Sequence, residues 1–104
     1  MHRGEIWWAN LPKPIGKRPV VLLSRDAAYI VRNAVTVAEI TTTIRNIPVE
    51  VPLGPAEGLP KKCVANLDTI LTIRKERIDT KITNLPQNKI NDIDKAIKFA
   101  LDIS

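Results

Sequence analysis

The stretch Gly16-Lys17-Arg18-Pro19-Val20-Val21-Leu22-Leu23 gives the strongest indication of the fold of this 104-residue chain. Its run of four aliphatic residues predicts a buried strand over residues 19–25. Because proline cannot donate a hydrogen bond to a sheet ladder, we expect Pro19 to begin the strand and to hold Arg18 at its mouth. A guanidinium is always charged, so this position offers a fixed cation to an anion such as a phosphate.

Short β-branched segments separated by Pro and Gly continue on both sides of this stretch. They predict strands at Glu5–Leu11, Ala34–Thr41, 48–53 and 63–67, with a shorter one at 70–74. After residue 87 the apolar residues recur at spacings of three and four, which predicts a helix over 87–101 whose sheet-facing side carries Ile90, Ile93, Ile97, Ala100 and Leu101. The predicted fold is mainly β with a C-terminal helix. It is a single domain of residues 1–104, with a small bent sheet or barrel over residues 1–80.

The composition is that of a soluble globular protein, with 44% apolar and 26% charged residues. No apolar run exceeds five residues, far fewer than the ~20 that a membrane span needs. The first residues lack the basic and apolar pattern of a secretion signal. We therefore expect a cytoplasmic protein that does not contact membranes. The single cysteine excludes an internal disulfide and a cysteine-based zinc site.

The net charge of +5 is unevenly distributed. Residues 1–77 contain 12 Lys and Arg against 7 Asp and Glu, whereas residues 78–104 contain 4 of each kind. A basic β portion favours an anionic partner such as a nucleic acid.

Most common catalytic groups are missing from the chain. The only histidine, His2, is next to the first residue, and the four glycines are too far apart to form a phosphate-binding loop. The acidic residues of the β portion are scattered singly, which argues against a two-metal site. Cys63 stands in an apolar segment and is predicted to be a buried thiol. We therefore expect no cofactor and no metal ion.

The remaining candidates are hydroxyls, isolated carboxylates and aromatic rings. A strand ends in Thr41-Thr42-Thr43, where the hydroxyls are either ordinary strand residues or donors to a phosphate. Asp68 ends an apolar strand and is either a turn residue or a functional carboxylate. Trp7 and Trp8 must point to opposite faces of one strand, so that one ring is left for stacking or for a partner.

Several blocks of this sequence, in this order, resemble the MazF/PemK toxins of type II toxin–antitoxin systems. The blocks are Arg3-Gly4-Glu5-Ile6-Trp7-Trp8, Arg18-Pro19-Val20-Val21-Leu22-Leu23-Ser24 with Asp26, Ile40-Thr41, Gly58-Leu59-Pro60-Lys61, Val64-Ala65-Asn66-Leu67-Asp68 and Thr72-Ile73. The resemblance implies an SH3-like (PemK/CcdB-like) small β-barrel with a C-terminal helix, acting as a homodimer. It also implies metal-independent endoribonuclease cleavage of single-stranded RNA, inhibited by a small cognate antitoxin similar to MazE.

The resemblance assigns the family's essential arginine to Arg18, its essential threonine to Thr41 and an acidic position to Asp68. We expect RNA contacts from six further residues: Trp8, Lys17, Arg25, Thr42, Lys61 and Lys62. The loop over residues 10–16 is shorter than in many members, and Leu71 replaces an arginine that often precedes the threonine of the late strand. Both departures affect the RNA sequence that is recognised.

The chemistry expected from the resemblance uses the RNA 2′-OH as the nucleophile. Arg18 would stabilise the charge on the phosphate, and Thr41 would donate to a phosphate oxygen or to the leaving 5′-oxygen. The base is either Asp68 or the substrate itself, and the products are a 2′,3′-cyclic phosphate and a 5′-OH. Two other functions fit the same barrel: a gyrase-poison toxin, and a catalytically silent module that binds RNA or protein.

Overall fold

The computed structural model describes all 104 residues and contains one six-stranded antiparallel sheet. The strands and α-helices are β1 (Glu5–Leu11), β2 (Gly16–Leu22), α1 (Ala28–Val31), β3 (Ala34–Thr41), β4 (Glu50–Leu53), β5 (Cys63–Arg74), β6 (Ile78–Asn84) and α2 (Gln87–Ala100), with short 3-10 turns at Pro55–Glu57 and Lys75–Arg77. In the sheet the strands lie in the order β4-β5-β3-β2-β1-β6. The predicted fold class is therefore confirmed.

The sheet curls until its two edges approach each other. Gly58 follows β4, at one edge, and a Cβ atom added to it would lie 3.5 Å from Cβ of Thr83 in β6, at the other edge. This curvature makes the sheet a half-barrel that encloses one part of the core.

The apolar side chains form two clusters. The first includes Ile6, Val21, Ile40, Leu67 and Ile93, and the second includes Ala9, Val20, Leu22, Val37 and Ile78. Neighbouring residues of a strand contribute to different clusters, as the two-residue period of a strand requires.

Helix α2 covers the first cluster. Ile93 and Ala96 are buried, while Ile90, Ile97 and Ala100 are partly buried. The prediction that Leu101 shares this face is wrong: the helix ends at Ala100, and Leu101 is 58% exposed.

Strand β2 begins earlier than predicted. It runs over Gly16–Leu22, so Arg18 lies within the strand instead of at its mouth. Pro19 is tolerated there because the pairing of β2 with β3 starts only at Val20, while Pro19 lies opposite Trp8 of β1. The missing N–H thus falls on a side of β2 that has no partner strand.

The two predicted strands at 63–67 and 70–74 are one strand, β5, of 12 residues. Its pairing with β3 shifts where Ala38 lies opposite Ile70 and Glu39 lies opposite Asn66, so residues 67–69 form a bulge. Asp68 therefore lies in this bulge, and the prediction that it ends a strand is wrong. The bulge keeps the two halves paired although polar residues interrupt the apolar run.

Strand β6 and helix α1 were not predicted. Strand β6 is an edge strand whose middle residues, Asp79, Thr80 and Lys81, are exposed, so it lacks an apolar alternation that would mark it. Helix α1 has only four residues. The structure has no helix with the length and hydropathy of a membrane span.

Candidate active site

Arg18, Glu39 and Thr41 lie on one face of two neighbouring strands. Val20 of β2 pairs with Glu39 of β3, so Arg18, two residues before Val20, is a diagonal neighbour of Glu39 on the same face. Thr41 is two residues beyond Glu39 and shares that face. The Arg18 Nη1 atom lies 3.2 Å from Oε1 of Glu39. The strand register therefore fixes a cation, a carboxylate and a hydroxyl side by side.

These three residues open into a pocket of about 210 Å³ with no apolar residue in its lining. The lining residues are Arg18, Glu39, Thr41, Thr43, Arg45, Asn66 and Thr69. Two guanidinium groups face one carboxylate, so the pocket has a net positive charge suited to an anion.

Strand β5 contributes Asn66, just before its bulge, and Thr69, within the bulge, to this pocket. Asn66 is buried, and its Oδ1 accepts a hydrogen bond of 2.9 Å from the backbone N–H of Asp68. The side chain of Asp68, predicted to be functional, is not part of the pocket lining. The structure thus brings Arg18 and Thr41 together and leaves Asp68 outside.

The loop after β3 forms another wall of the pocket, and Glu50 of β4 holds it in place. The Glu50 carboxylate accepts hydrogen bonds from the backbone N–H groups of Arg45, at 3.0 and 3.2 Å, and of Asn46, at 2.9 Å. Within the loop, the N–H of Thr43 donates to Oγ1 of Thr41 at 3.2 Å.

A second pocket, of about 140 Å³, adjoins the first at Thr41. It lies on the other face of β1, β2 and β3 and is lined by Trp8, Pro19, Ile40, Thr41, Thr42, Leu59, Pro60, Lys61 and Cys63. Three of the predicted RNA-binding residues, Trp8, Thr42 and Lys61, therefore lie together. An aromatic ring and a cation beside an anion pocket suit a base next to a phosphate.

Lys17 lies beside this second pocket. Its Nζ atom is 5.5 Å from the centre of the Trp8 ring and 3.4 Å from Oδ2 of Asp79. Trp7 points to the opposite face, as predicted, where it packs against the second apolar cluster and its indole N–H donates to Glu5.

Two predicted RNA-binding residues lie away from these pockets. Arg25 is exposed beyond the far end of β2, next to the segment that contacts the first residues of the chain. Lys62 lines a separate shallow surface with Pro55 and Lys89, although its neighbour Lys61 lines the second pocket.

The buried groups differ in how well they are paired. Burial would raise the pKa of Glu5, but hydrogen bonds from the Trp7 indole and the His2 backbone, together with the Lys81 ammonium group, lower it to about 2.

Burial raises the pKa of the Cys63 thiol, which makes it a poor nucleophile. No group of three or more His, Cys, Asp or Glu side chains is arranged to hold a metal ion.

The sequence patterns did not identify Glu39 as a site residue. It is 7% exposed, carries a charge and pairs with Arg18. The two-residue period of β3 places it on the face of Thr41, and that spacing was the available signal.

Comparison with known proteins gives consistent matches over the whole chain. The family model described as "PemK-like, MazF-like toxin of type II toxin-antitoxin system" matches residues 2–101. A probable endoribonuclease, MazF5 of Mycobacterium tuberculosis (strain ATCC 25618 / H37Rv), is 37% identical over 103 residues, covering 98% of this chain and 94% of the relative.

Two solved structures are similar to this chain in both sequence and fold. The Mycobacterium tuberculosis toxin MazF-mt6 has a TM-score of 0.89 and 32% identity, over 96% of this chain and 98% of that chain. An endoribonuclease from a mycobacterial species, in complex with its cognate antitoxin, has a TM-score of 0.88 and 27% identity, over 100% of this chain and 97% of that chain.

Proposed function

The chain belongs to the PemK-like, MazF-like family of type II toxins, and we propose that it cleaves single-stranded RNA in the polar pocket of Arg18 and Thr41. It is an endoribonuclease toxin, as its mycobacterial relatives are named. The observation that carries the assignment to this pocket is the shared location of the guanidinium and the hydroxyl in an entirely polar lining. We further propose that cleavage needs no metal ion and occurs at short specific sequences.

Arg18 binds the scissile phosphate and stabilises the negative charge that grows on it. A guanidinium can give two parallel hydrogen bonds to two phosphate oxygens. The Arg18 side chain is 37% exposed while one of its nitrogens contacts Glu39, so other nitrogens remain available to a substrate. A preorganised donor of this kind typically contributes ~10²–10³ in rate.

Thr41 lies where both pockets meet. Its hydroxyl donates a hydrogen bond to a phosphate oxygen or to the leaving 5′-oxygen. The nucleophile is the 2′-OH of the RNA, which the pocket holds in line with the phosphorus and the 5′-oxygen. The products are a 2′,3′-cyclic phosphate and a 5′-OH.

Single-stranded RNA extends from the polar pocket into the second one. Trp8 stacks on an unpaired base there, and Thr42, Lys61 and Lys17 contact the backbone or base edges. Arg25 and Lys62 lie away from both pockets, so the proposed path of the RNA does not include them. The proposed role of Asp68 as base gains no support from the lining of the pocket.

A comparison of Arg18→Ala with Arg25→Ala tests this function in EDTA. Both changes remove one exposed or half-exposed guanidinium, but only Arg18 lines the pocket. Wild type and Arg25→Ala should cut a long mixed RNA into discrete fragments, whereas Arg18→Ala should be slower by ~10² or more. Intact but bound RNA in the wild type would indicate a silent binding module, and the absence of any interaction would favour a gyrase poison.

The partners follow from the family and from the exposed apolar surface. We propose that a cognate antitoxin inhibits this chain, since a relative with 27% identity was solved in complex with one. We also propose a homodimer, which would cover Ile30 and Val31 of α1, exposed at 84% and 72%. We propose that it acts in the cytoplasm, where cellular RNA would be its substrate.

A further inference from the structure

We propose that Glu39 is the general base that takes the proton from the attacking 2′-OH, in place of Asp68. The inference rests on the proposed ribonuclease function of the same pocket. It assigns a residue to the role of base, which the comparisons leave open.

Glu39 is the only carboxylate in the lining of the polar pocket. The other charged groups that line it are the guanidinium groups of Arg18, on β2, and Arg45, in the loop after β3. From β5 only the uncharged Asn66 and Thr69 reach it. A base must lie within hydrogen-bond reach of the proton that it removes. Glu39 lies 3.2 Å from the Arg18 guanidinium, so it is the lining carboxylate that a 2′-OH beside a phosphate bound by Arg18 would reach.

The pairing of Glu39 is incomplete for a buried carboxylate. Glu5, similarly buried, accepts hydrogen bonds from the His2 backbone and the Trp7 indole and has Lys81 at 3.0 Å. Glu39 has one close cationic partner, Nη1 of Arg18 at 3.2 Å, and it faces an open pocket. Both oxygens of Glu5 therefore have partners within the protein, whereas one oxygen of Glu39 remains available to accept a proton from a substrate.

The contact with Arg18 also places Glu39 next to the proposed phosphate site. One edge of the guanidinium contacts Glu39, and its other nitrogens can bind the phosphate. In the proposed complex, the nucleotide whose 3′-oxygen carries the scissile phosphate has its 2′-OH beside that phosphate, on the side of Arg18 that Glu39 occupies. A single guanidinium thus aligns base, nucleophile and phosphorus.

The proton transfer is coupled to the exchange of one bond for another at phosphorus. The 2′-O–H proton moves to a carboxylate oxygen of Glu39 as the 2′-oxygen bonds to phosphorus and the bond from phosphorus to the 5′-oxygen breaks. The departing 5′-oxygen takes a proton from water in the open pocket. The protonated Glu39 then returns its proton to solvent, and no other reactant is needed.

Glu39→Gln separates the role of a base from that of a positioning group. Glutamine has the same shape and keeps an oxygen that can accept from Arg18, but it cannot take up a proton at neutral pH. Asp68→Asn is the matched control because it makes the same chemical change outside the pocket. Single-turnover cleavage of a short RNA is measured for both variants, and binding is measured on the same oligonucleotide with deoxyribose at the cut site.

The expected result is a loss of ~10²–10⁴ in the cleavage rate of Glu39→Gln. Its affinity for the deoxy oligonucleotide should stay within a few-fold of wild type, and Asp68→Asn should cleave at nearly the wild-type rate. If glutamine disturbs folding, Glu39→Asp provides the second variant: it keeps a carboxylate and should cleave faster than Glu39→Gln.

Wild-type cleavage by Glu39→Gln, or an equal loss in Asp68→Asn, would overturn the assignment of the base. Near-wild-type cleavage by Glu39→Gln together with inactive Arg18→Ala would refute this inference and leave the proposed function intact. Absence of cleavage by the wild-type protein would refute the proposed function itself.

Discussion

The buried carboxylate of Glu5 should make the stability of the fold depend on pH. Glu5 is at the start of β1, its side chain is 8% exposed, and its ion pair with Lys81 joins β1 to β6. Burial opposes its charge, but the hydrogen bonds from Trp7 and His2 and the charge of Lys81 lower its pKa from 4.5 to about 2. One pKa unit corresponds to ~1.4 kcal/mol, so Glu5 contributes at most about 3 kcal/mol to the free energy of unfolding.

Because the pKa of Glu5 is lowered by folding, its contribution to the free energy of unfolding decreases as the pH falls. The folded state binds this proton less readily than the unfolded state, so the contribution is complete above pH 4.5 and is lost as the pH falls towards 2. Because other carboxylates also titrate in this range, Asp26 among them, the comparison must be made with Glu5→Gln. The free energies of unfolding of both proteins are measured by urea denaturation at several pH values between 2 and 7.

Wild type should exceed Glu5→Gln by roughly 1–3 kcal/mol at pH 7, and the difference should shrink steadily below pH 4.5. A difference that is constant between pH 7 and pH 2 would show that the charge of Glu5 does not stabilise the fold, and it would refute the reasoning.

Three further predictions concern the helix contact and the RNA surface. Gly4→Ala should lower Tm by at least ~4–8 °C in a thermal melt, because Gly4 has φ +89° and an added Cβ would lie 2.7 Å from Cδ1 of Ile90 in α2. Trp8→Ala should weaken binding of a deoxy-substituted oligonucleotide by ~1–3 kcal/mol in fluorescence anisotropy, since it removes a stacking ring; unchanged affinity would exclude Trp8 from the RNA surface. Lys61→Ala should reduce the slope of log affinity against log salt by about 1, whereas Lys62→Ala, on a different surface, should leave it unchanged; equal effects would contradict the proposed path of the RNA.

Periodicity was sufficient to predict the parts of the fold with one clear apolar face. Strands β1 and β3 and helix α2 have such a face, and the structure confirms them. Strand β6 could not be predicted in this way because it is an edge strand with mostly exposed residues. The continuity of β5 depends on a bulge opposite β3, which is a property of the pairing of two distant segments.

The candidate site likewise contains residues that the sequence identified and residues that only strand pairing brings together. Arg18 and Thr41 were identified by resemblance, and the structure places both in one pocket. Asp68 was also assigned by resemblance, to an acidic position of the family, but it does not line this pocket. Asn66 and Thr69 of β5 line the pocket instead, and the pairing of β2 with β3 adds Glu39. Register between strands decides these neighbours, and the sequence of one strand does not contain it.

The most direct test of the proposed mechanism removes a single atom from the substrate, the attacking 2′-oxygen. Once the cut site is mapped, an oligonucleotide with deoxyribose only at the nucleotide that supplies the 2′-OH is incubated with the protein in EDTA, beside the all-RNA control. We expect the control to give fragments that end in a 2′,3′-cyclic phosphate and a 5′-OH, and the deoxy oligonucleotide to bind and remain intact. Cleavage of the deoxy oligonucleotide at the same position would require an external nucleophile and would contradict the account.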